Sequence, residues 1–259
     1  MNLAFSKYQG TGNDFIMVNN MSGTYNQLTI KQIVLLCDRK FGIGADGLIM
    51  INKSKSVDFE MDYYNSDGSK SFCGNGARCA CQFAFSLGLI SSKTTFNAID
   101  GVHVAEILDL VELQMTSVSI FENKAGVFVL DTGSPHYISF TSNLNQIDVV
   151  GEGRKIRFSD DYLENGINVN FVQVEDLNSI RVRTYERGVE DETLSCGTGV
   201  TAAVLAHAIQ SNLIGEQLVV VGTLGGELEV RFNHVIGIGF ESIKLIGPAI
   251  EVFKGEVNV

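Results

Sequence analysis

A Cys-Gly-x-Gly motif followed by a long apolar stretch occurs twice in this chain of 259 residues. The first copy begins at Cys73 and the second at Cys196, 123 residues later. The residues after each motif are apolar on nearly every side, which is typical of a buried helix. Three further landmarks recur at nearly the same spacing: Leu89-Ile90 with Leu213-Ile214, Gly12 with Gly133, and Gly101 with Gly226. We therefore predict an internal duplication that forms two similar domains.

Each motif places a cysteine at the predicted start of a helix. A helix start presents unpaired backbone N–H groups and about half a positive charge, so it favours a thiolate and can hold a nearby carboxylate. A single cysteine in an apolar context is usually a small buried hydrophobe, and we interpret Cys37, Cys79 and Cys81 in that way. The repeated context of Cys73 and Cys196 instead indicates two functional thiols.

The remaining pattern predicts an α+β fold with two pseudo-symmetric domains, each a mostly antiparallel strand layer around a central helix. Thr29 and Gln32 form a capping box at the start of an additional helix that continues to Cys37. The domains are expected to span 1–115 and 116–246, with 247–259 as a segment that could return to the first domain. Strands are predicted at residues 14–18, 48–51, 57–63, 94–98, 102–107, 111–115, 127–130, 136–140, 169–174, 180–185, 218–221, 228–232 and 236–240.

The stretch Gly42 to Gly47 formally matches the GxGxxG fingerprint of dinucleotide-binding proteins. That fingerprint requires a strand before the turn and a helix after it. Here a predicted helix precedes the stretch and a predicted strand follows it. We therefore interpret it as a helix-to-strand turn.

Composition excludes several functional classes. The net charge of −11 argues against a nucleic-acid partner, because phosphate binding needs clustered Lys and Arg. The sequence shows neither a signal peptide nor an apolar segment that could span a membrane, so we expect a cytoplasmic protein with no membrane partner. The five cysteines form neither a disulfide framework nor CxxC pairs, which predicts free thiols and no metal site.

The two predicted helix starts suggest one reaction if they face each other across a domain cleft. Backbone donors of Gly74, Asn75, Gly197 and Thr198 would hold the carboxylate of an amino acid, with a sulfur on each side of its α-carbon. One thiolate would remove the α-proton while the opposite thiol returned a proton, so that the centre is inverted. The helix starts would stabilise the charge that develops, and no cofactor would be required.

Ordered motifs along the whole chain resemble those of the diaminopimelate epimerase family, which acts without pyridoxal phosphate. The motifs are GTGNDFIMV at 10–18, DRKFGIGADGL at 38–48, NSDGSKSFCGNGARC at 65–79, GSPH at 133–136, NVNFV at 168–172, ERG at 186–188, CGTG at 196–199 and GPAIEVFKGEV at 247–257. The resemblance implies two α+β domains with the active site between them and Cys73 and Cys196 as the proton-transfer residues. It implies interconversion of LL- and meso-diaminopimelate in lysine and peptidoglycan precursor synthesis.

The resemblance also implies roles for residues outside the two motifs. The distal amino-acid end of the substrate would be held by Asn13, Asn65, Asn168 and Arg187. Glu186 would contact the ammonium group there and help to set the protonation of Cys196, and His136 would do so for Cys73. Three features depart from the family pattern: Ser134 stands where Asn is common, Gly47 where some members have Gln, and one extra residue lies between Arg187 and Cys196.

Other functions stay open on the sequence. A racemase of the same architecture could act on proline, hydroxyproline or histidine, although proline racemases have Cys-Gly-His where this chain has Cys73-Gly74-Asn75. A non-catalytic module could hold an anion such as phosphate at its helix starts. A redox protein could form a Cys73–Cys196 disulfide. The favoured hypothesis implies a small-molecule amino-acid substrate as the partner, and a homodimer is one candidate assembly.

Overall fold

The computed structural model of this protein describes residues 1–124 and 126–259 and consists mainly of short β-strands packed around helices. The chain divides into two units. Unit 1 comprises Met1–Leu113 and Gly247–Val259, and unit 2 comprises Gln114–Ile246. The predicted α+β class is confirmed.

The first part of the chain contributes these elements: β1 (Asn2–Gly10), β2 (Asn13–Asn20), α1 (Ile30–Cys37), β3 (Gly47–Asn52), β4 (Phe59–Asn65), α2 (Gly74–Ser86), β5 (Lys93–Ala98), β6 (Gly101–Ile107) and β7 (Val111–Gln114). The second part contributes β8 (Phe121–Lys124), β9 (Val127–Asp131), β10 (Pro135–Phe140), a 3₁₀ turn (Leu144–Gln146), α3 (Val149–Arg157), β11 (Asn168–Asp176), β12 (Ser179–Glu186), β13 (Asp191–Thr193), α4 (Gly197–Gln210), β14 (Gly215–Thr223), β15 (Gly226–Val235) and β16 (Gly239–Gly247). The last strand is β17 (Ile250–Asn258).

The two units share one strand topology. In unit 1 the strands pair in the order β17-β1-β2-β3-β4-β5-β6-β7. In unit 2 the order is β8-β9-β10-β11-β12-β14-β15-β16. In both series the third and fifth pairs are parallel and the others are antiparallel. The C-terminal strand β17 therefore occupies in unit 1 the position that β8 occupies in unit 2.

One buried helix lies at the centre of each strand layer. Helix α2 packs against β1, β2, β3, β4, β6 and β17, and α4 packs against β9, β10, β11, β12, β14 and β15. Both helices are buried over most of their length, which accounts for the apolar residues on nearly every side. None of the helices in the described residues combines the length and apolar character that a membrane span requires.

The helix-to-strand turn at Gly42 to Gly47 is confirmed, because α1 precedes it and β3 begins at Gly47. The capping box at the start of α1 is also confirmed. The Thr29 side chain accepts a hydrogen bond from the Gln32 backbone N–H, and the Gln32 side chain accepts one from the Thr29 backbone N–H.

The predicted strand at 236–240 is wrong. Residues 236–238 form the turn between β15 and β16, and β16 begins only at Gly239. Gly237 and Gly239 both have positive φ angles, 80° and 117°. A Cβ at Gly239 would also lie 2.4 Å from the Val118 carbonyl oxygen. The isoleucines that suggested a strand, Ile236 and Ile238, are exposed at the turn.

Candidate active site

The two motif cysteines occupy equivalent positions, each as the N-cap of a central helix. Cys73 precedes α2 and Cys196 precedes α4, and both have extended backbone conformations. Neither side chain makes a capping hydrogen bond, so neither sulfur satisfies the N–H groups of the first helical turn. Each helix start therefore combines a thiol with the partial positive charge of the helix.

In unit 1, the Cys73 thiol donates a hydrogen bond to the side-chain oxygen of Asn13, with 3.4 Å between Sγ and Oδ1. The Asn75 side-chain amide donates to the same oxygen, also over 3.4 Å. The Asn13 nitrogen donates to the Asp46 carboxylate over 2.6 Å. Because a carboxylate only accepts, this contact fixes the Asn13 amide with its oxygen towards Cys73.

The Asn75 amide is fixed in turn by Arg78, which lies one turn further along α2. Arg78 Nη2 donates to Asn75 Oδ1 over 3.0 Å, and Nη1 donates to the Gly74 carbonyl over 3.4 Å. The Arg78 side chain has no solvent exposure. Its Nε is a buried donor without a hydrogen-bond partner among the described residues.

A charged network supports Asn13 from the opposite side. Arg39 binds both Asp14 and Asp46 over 2.7 Å, and Lys7 binds Asp14 over the same distance. Burial alone would raise the pKa of Asp14, but hydrogen bonds from Arg39 and Lys7 lower it to about 2. This network holds Asp46 where it orients the Asn13 amide.

Asn65, a predicted substrate ligand, is engaged in its own turn. Its side-chain nitrogen donates to the Ser69 backbone oxygen and to the hydroxyls of Ser69 and Ser71, over 3.0 to 3.2 Å. Gly47 pairs with Asn65 across β3 and β4. A Cβ at Gly47 would lie 2.4 Å from both the Tyr63 ring and the Tyr64 carbonyl oxygen, so this site leaves no room for a glutamine.

In unit 2, a hydroxyl connects Cys196 to His136. Cys196 Sγ lies 3.5 Å from the Thr198 hydroxyl, and that hydroxyl lies 2.9 Å from His136 Nε2. Burial, with a smaller contribution from the Arg187 charge, lowers the pKa of His136 to about 3. The imidazole is therefore neutral near pH 7.

Asn170 determines which nitrogen of His136 carries the proton. Asn170 Nδ2 donates to the Tyr137 backbone oxygen over 3.2 Å, which fixes the orientation of the amide. The same nitrogen lies 3.0 Å from His136 Nδ1, so Nδ1 accepts and Nε2 carries the proton. His136 then donates to Thr198, which leaves the Thr198 proton free to point towards Cys196.

The predicted distal ligands of unit 2 cluster around Ser134. Asn168 Nδ2 donates to the Ser134 hydroxyl over 2.9 Å, and the Asn168 oxygen accepts from the Arg187 backbone N–H over 2.9 Å. Arg187 Nη2 also reaches Ser134, over 3.3 Å. Glu186 ends β12 beside this cluster and is half-buried. The segment with the extra residue contains β13, which pairs with β12.

The other three cysteines are buried thiols. Burial raises the pKa of Cys37 to about 11 and that of Cys79 to about 12, and it raises the pKa of Cys81 further. These thiols are neutral near pH 7. Within residues 1–124 and 126–259, no group of three or more His, Cys, Asp or Glu side chains could hold a metal ion.

The structure thus brings Asn13 and Asn75 to Cys73, and Thr198 and His136 to Cys196. It gathers Asn168 and Arg187 around Ser134, and it engages Asn65 with Ser69 and Ser71. Arg78, Asp46 and Asn170 were not predicted from the sequence as site residues. A charged residue in an otherwise apolar helix was the available signal for Arg78. No comparable signal marked Asn170, because its partners lie on other strands.

Two segments of the chain match one family of known proteins. The sequence model described as diaminopimelate epimerase matches residues 5–119 and 128–243. A diaminopimelate epimerase of Flavobacterium psychrophilum is 49% identical over 251 residues, covering 96% of this chain and 97% of that protein. One from Chlorobaculum tepidum is 41% identical over 261 residues, covering 96% and 99%.

Solved structures share the architecture at much lower identity. A Bacillus anthracis phenazine biosynthesis protein of the PhzF family has a TM-score of 0.79 at 15% identity, with both chains fully covered. A probable proline racemase from Agrobacterium radiobacter has a TM-score of 0.68 at 12% identity, covering 99% of this chain and 93% of that one. At these identities the likeness establishes the fold alone.

Proposed function

Because this chain belongs to the diaminopimelate epimerase family, we propose that it interconverts LL- and meso-diaminopimelate by inverting one α-carbon. The reaction serves lysine and peptidoglycan precursor synthesis. The observation that carries the proposal is the pair of cysteine N-caps on equivalent central helices, within a chain that matches the family over nearly its whole length.

Inversion requires a base on one face of the α-carbon and an acid on the other. In the proposed reaction, one cysteine thiolate takes the α-proton and the other cysteine thiol delivers its proton to the opposite face. The products are the epimer and an enzyme in which the two protonation states are exchanged. The reverse reaction uses the same residues with their roles exchanged.

The difficult step is the removal of a weakly acidic proton by a thiolate, because an unperturbed cysteine has a pKa of about 8.5. As the proton leaves, the substrate carboxylate gains charge and becomes an enediolate. A helix start contributes about 0.3 to 2 kcal/mol towards a nearby anion, and a preorganised donor in a dry site about 2.7 to 4 kcal/mol. We assign these donors to the backbone N–H groups of Gly74, Asn75, Gly197 and Thr198.

The distal amino-acid end of the substrate distinguishes diaminopimelate from a simple amino acid. We assign its recognition to Asn13, Asn65, Asn168 and Arg187, with Glu186 at the ammonium group. The cluster of Asn168, Arg187 and Ser134 supports part of this assignment, since it supplies donors and acceptors at one place. Ser134 interacts with both residues and thereby takes part in the cluster despite its short side chain.

His136 and Glu186 complete the proposed machinery. The family resemblance assigns Glu186 to the protonation of Cys196 and His136 to that of Cys73. The hydrogen bond from His136 to Thr198 supports an additional effect of His136 on Cys196, within unit 2. The free cysteines are consistent with a reducing compartment, so we place the enzyme in the cytoplasm. A homodimer is the assembly to be tested by light scattering.

Incubation in heavy water tests the function most directly. Purified protein and LL-diaminopimelate, without added pyridoxal phosphate, should yield meso-diaminopimelate that carries deuterium at the inverted α-carbon only. Histidine and proline under the same conditions should incorporate none. Absence of deuterium from diaminopimelate would refute the assignment, and incorporation into histidine instead would identify a histidine racemase.

A further inference from the structure

Arg78 is a buried positive charge whose only described hydrogen bonds go to the start of α2. We propose that Arg78 is a positioning residue that stabilises the thiolate of Cys73, so that Cys73 is the resting base and Cys196 the resting acid of the substrate-free enzyme. This inference rests on the proposed function, because it assigns the starting state of that reaction. The ionisation of Cys73 itself can be measured without any turnover.

The burial of Arg78 is the first observation. Its side chain is fully buried, and no carboxylate forms an ion pair with it in the described part of the chain. A buried charge is costly unless it is paired, and arginine does not lose its proton in proteins. The guanidinium therefore favours an anion at the nearest position where one can form.

The geometry identifies that position. Long helical side chains point back towards the N-terminus, and Arg78 accordingly reaches the Gly74 carbonyl and the Asn75 side chain. These residues directly follow Cys73. Two thiols interact electrostatically with the guanidinium, those of Cys79 and Cys73. Burial raises the pKa of Cys79 to about 12, so Cys73 is the thiol that can supply the anion.

The hydrogen bond from Cys73 to Asn13 opposes the stabilisation of the Cys73 thiolate by Arg78, but it is weaker. The Asn13 oxygen can only accept, so it favours the protonated thiol at Cys73. That interaction is one hydrogen bond from a weak S–H donor at 3.4 Å. A full positive charge in a buried setting acts more strongly, because little solvent screens it. The balance therefore favours the thiolate.

The equivalent position in unit 2 shows the asymmetry. Arg78 follows Cys73 by five residues, and Thr201 follows Cys196 by five. Thr201 is fully buried, and its hydroxyl donates to the Gly197 carbonyl over 3.0 Å, as Arg78 donates to Gly74. The helix starts themselves contribute similarly to the two thiols. The Thr198 hydroxyl, 3.5 Å from Cys196 Sγ, favours a thiolate at Cys196, but a neutral hydroxyl acts less strongly than the buried charge of Arg78. Thr201, five residues after Cys196, is neutral, whereas Arg78, five residues after Cys73, is charged.

Other ionisable groups on the elements packed around α2 are largely neutralised by neighbours. Lys7 on β1 and Asp14 on β2 pair with each other, and Asp46 pairs with Arg39. His103 on β6 pairs with Asp100 and stacks on Phe72. The other carboxylates on these strands also have partners: on β4, Asp62 pairs with Lys70 and Glu60 accepts from Ser54. Glu106 on β6 pairs with Lys93, and on β17 Glu251 pairs with Lys254 and Glu256 accepts from Asn2.

Alkylation of the two cysteines tests the inference without substrate. The intact protein is labelled with iodoacetamide between pH 5 and 10, and mass spectrometry of each peptide gives the alkylation rate of Cys73 and of Cys196 at each pH. The midpoint of each rate profile is the pH at which half of that thiol is ionised. We expect the Cys73 midpoint to lie below that of Cys196. In Arg78→Gln, which retains amide donors but loses the charge, the Cys73 midpoint should rise by about one pH unit or more. Its alkylation rate at pH 7 should fall about tenfold.

Two further variants separate charge from structure. Arg78→Lys retains the charge and should keep the Cys73 midpoint close to that of the wild-type protein. Thr201→Val removes the equivalent hydrogen bond to the Gly197 carbonyl in unit 2 and should leave the Cys73 midpoint unchanged. A folded Arg78→Gln protein with an unshifted Cys73 midpoint would overturn the proposal. If that variant does not fold, the order of the two midpoints in the unmodified protein decides, and a lower midpoint at Cys196 overturns it.

The same data distinguish this inference from the proposed function. If diaminopimelate fails to exchange its α-proton, the proposed function fails, whereas the alkylation profiles still report the ionisation of Cys73. If exchange occurs but Arg78→Gln leaves the Cys73 profile unchanged, the function stands and the role of Arg78 does not.

Discussion

Replacement of Cys73 or Cys196 by serine is expected to lower the rate of epimerisation by about 10² to 10⁴-fold, the usual contribution of a general acid or base. A serine hydroxyl is a much weaker acid than a thiol, so it neither forms the required anion nor returns a proton readily. The measurement is kcat/KM in both directions, with diaminopimelate isomers separated by chromatography.

Folding should not account for that loss. Serine is a preferred N-cap residue, whereas cysteine at both positions makes no capping hydrogen bond. Each serine variant should therefore unfold at the same temperature as the unmodified protein or slightly above it. Thermal unfolding followed by circular dichroism provides this check.

A third cysteine on the same helix supplies the matched control. Cys81 lies on α2, is fully buried, and has a raised pKa. Cys81→Ala should retain turnover within a factor of about two, because alanine favours the helix and the thiol is never ionised. Retention of more than a tenth of the activity in either serine variant would contradict the two-thiol mechanism. Non-catalytic anion binding would instead survive both substitutions.

The duplication was the most informative feature of the sequence for the fold. A repeated N-cap cysteine followed by an apolar stretch predicted one buried helix in each of two similar domains, and α2 and α4 are those helices. The matching order of parallel and antiparallel pairs follows from the same repetition. Periodicity did not reveal β17, because the strand is exposed along most of its length and its apolar and polar residues do not alternate strictly.

Other elements depend on interactions that local pattern does not show. Helix α3 contains Gly151 and Gly153, which are poor helix formers, and its start depends on the Asp148 side chain. The roles of Asn170 and Arg78 depend on partners brought together by the fold. Motif spacing located Cys73 and Cys196, and the family resemblance supplied His136 and Glu186, whereas the contacts of Asn170 and Arg78 required coordinates.

Replacement of Gly199 by alanine is expected to destabilise the protein by about 2 to 3 kcal/mol and to reduce turnover at least tenfold. Alanine normally favours a helix over glycine by about 1 kcal/mol. A Cβ at Gly199 would, however, lie 2.4 Å from Asn170 Oδ1 and 3.2 Å from His136 Cε1. Overpacking costs about 1 to 3 kcal/mol, and displaced buried hydrogen bonds cost a similar amount.

The equivalent glycine of unit 1 provides a matched control for this variant. A Cβ at Gly76 would meet the terminal methyl of Ile49 at 2.9 Å and the Phe15 ring at 3.4 Å. A methyl at the end of a flexible side chain can move, so Gly76→Ala should change the free energy of unfolding by less than about 1 kcal/mol. Urea denaturation of both variants measures the difference between them.

The effect of Gly199→Ala on turnover follows from the hydrogen bonds that it displaces. Movement of Asn170 would release His136 from its fixed tautomer, and Thr198 would lose the donor that directs its proton towards Cys196. Addition of Asn170→Ala relieves the steric conflict without restoring the hydrogen bonds. The double variant should therefore lose about 1 to 2 kcal/mol less free energy of unfolding than the sum of the two single variants, but its turnover should stay low. Equal stability losses in Gly199→Ala and Gly76→Ala would show that Asn170 and His136 do not restrict the space at Gly199.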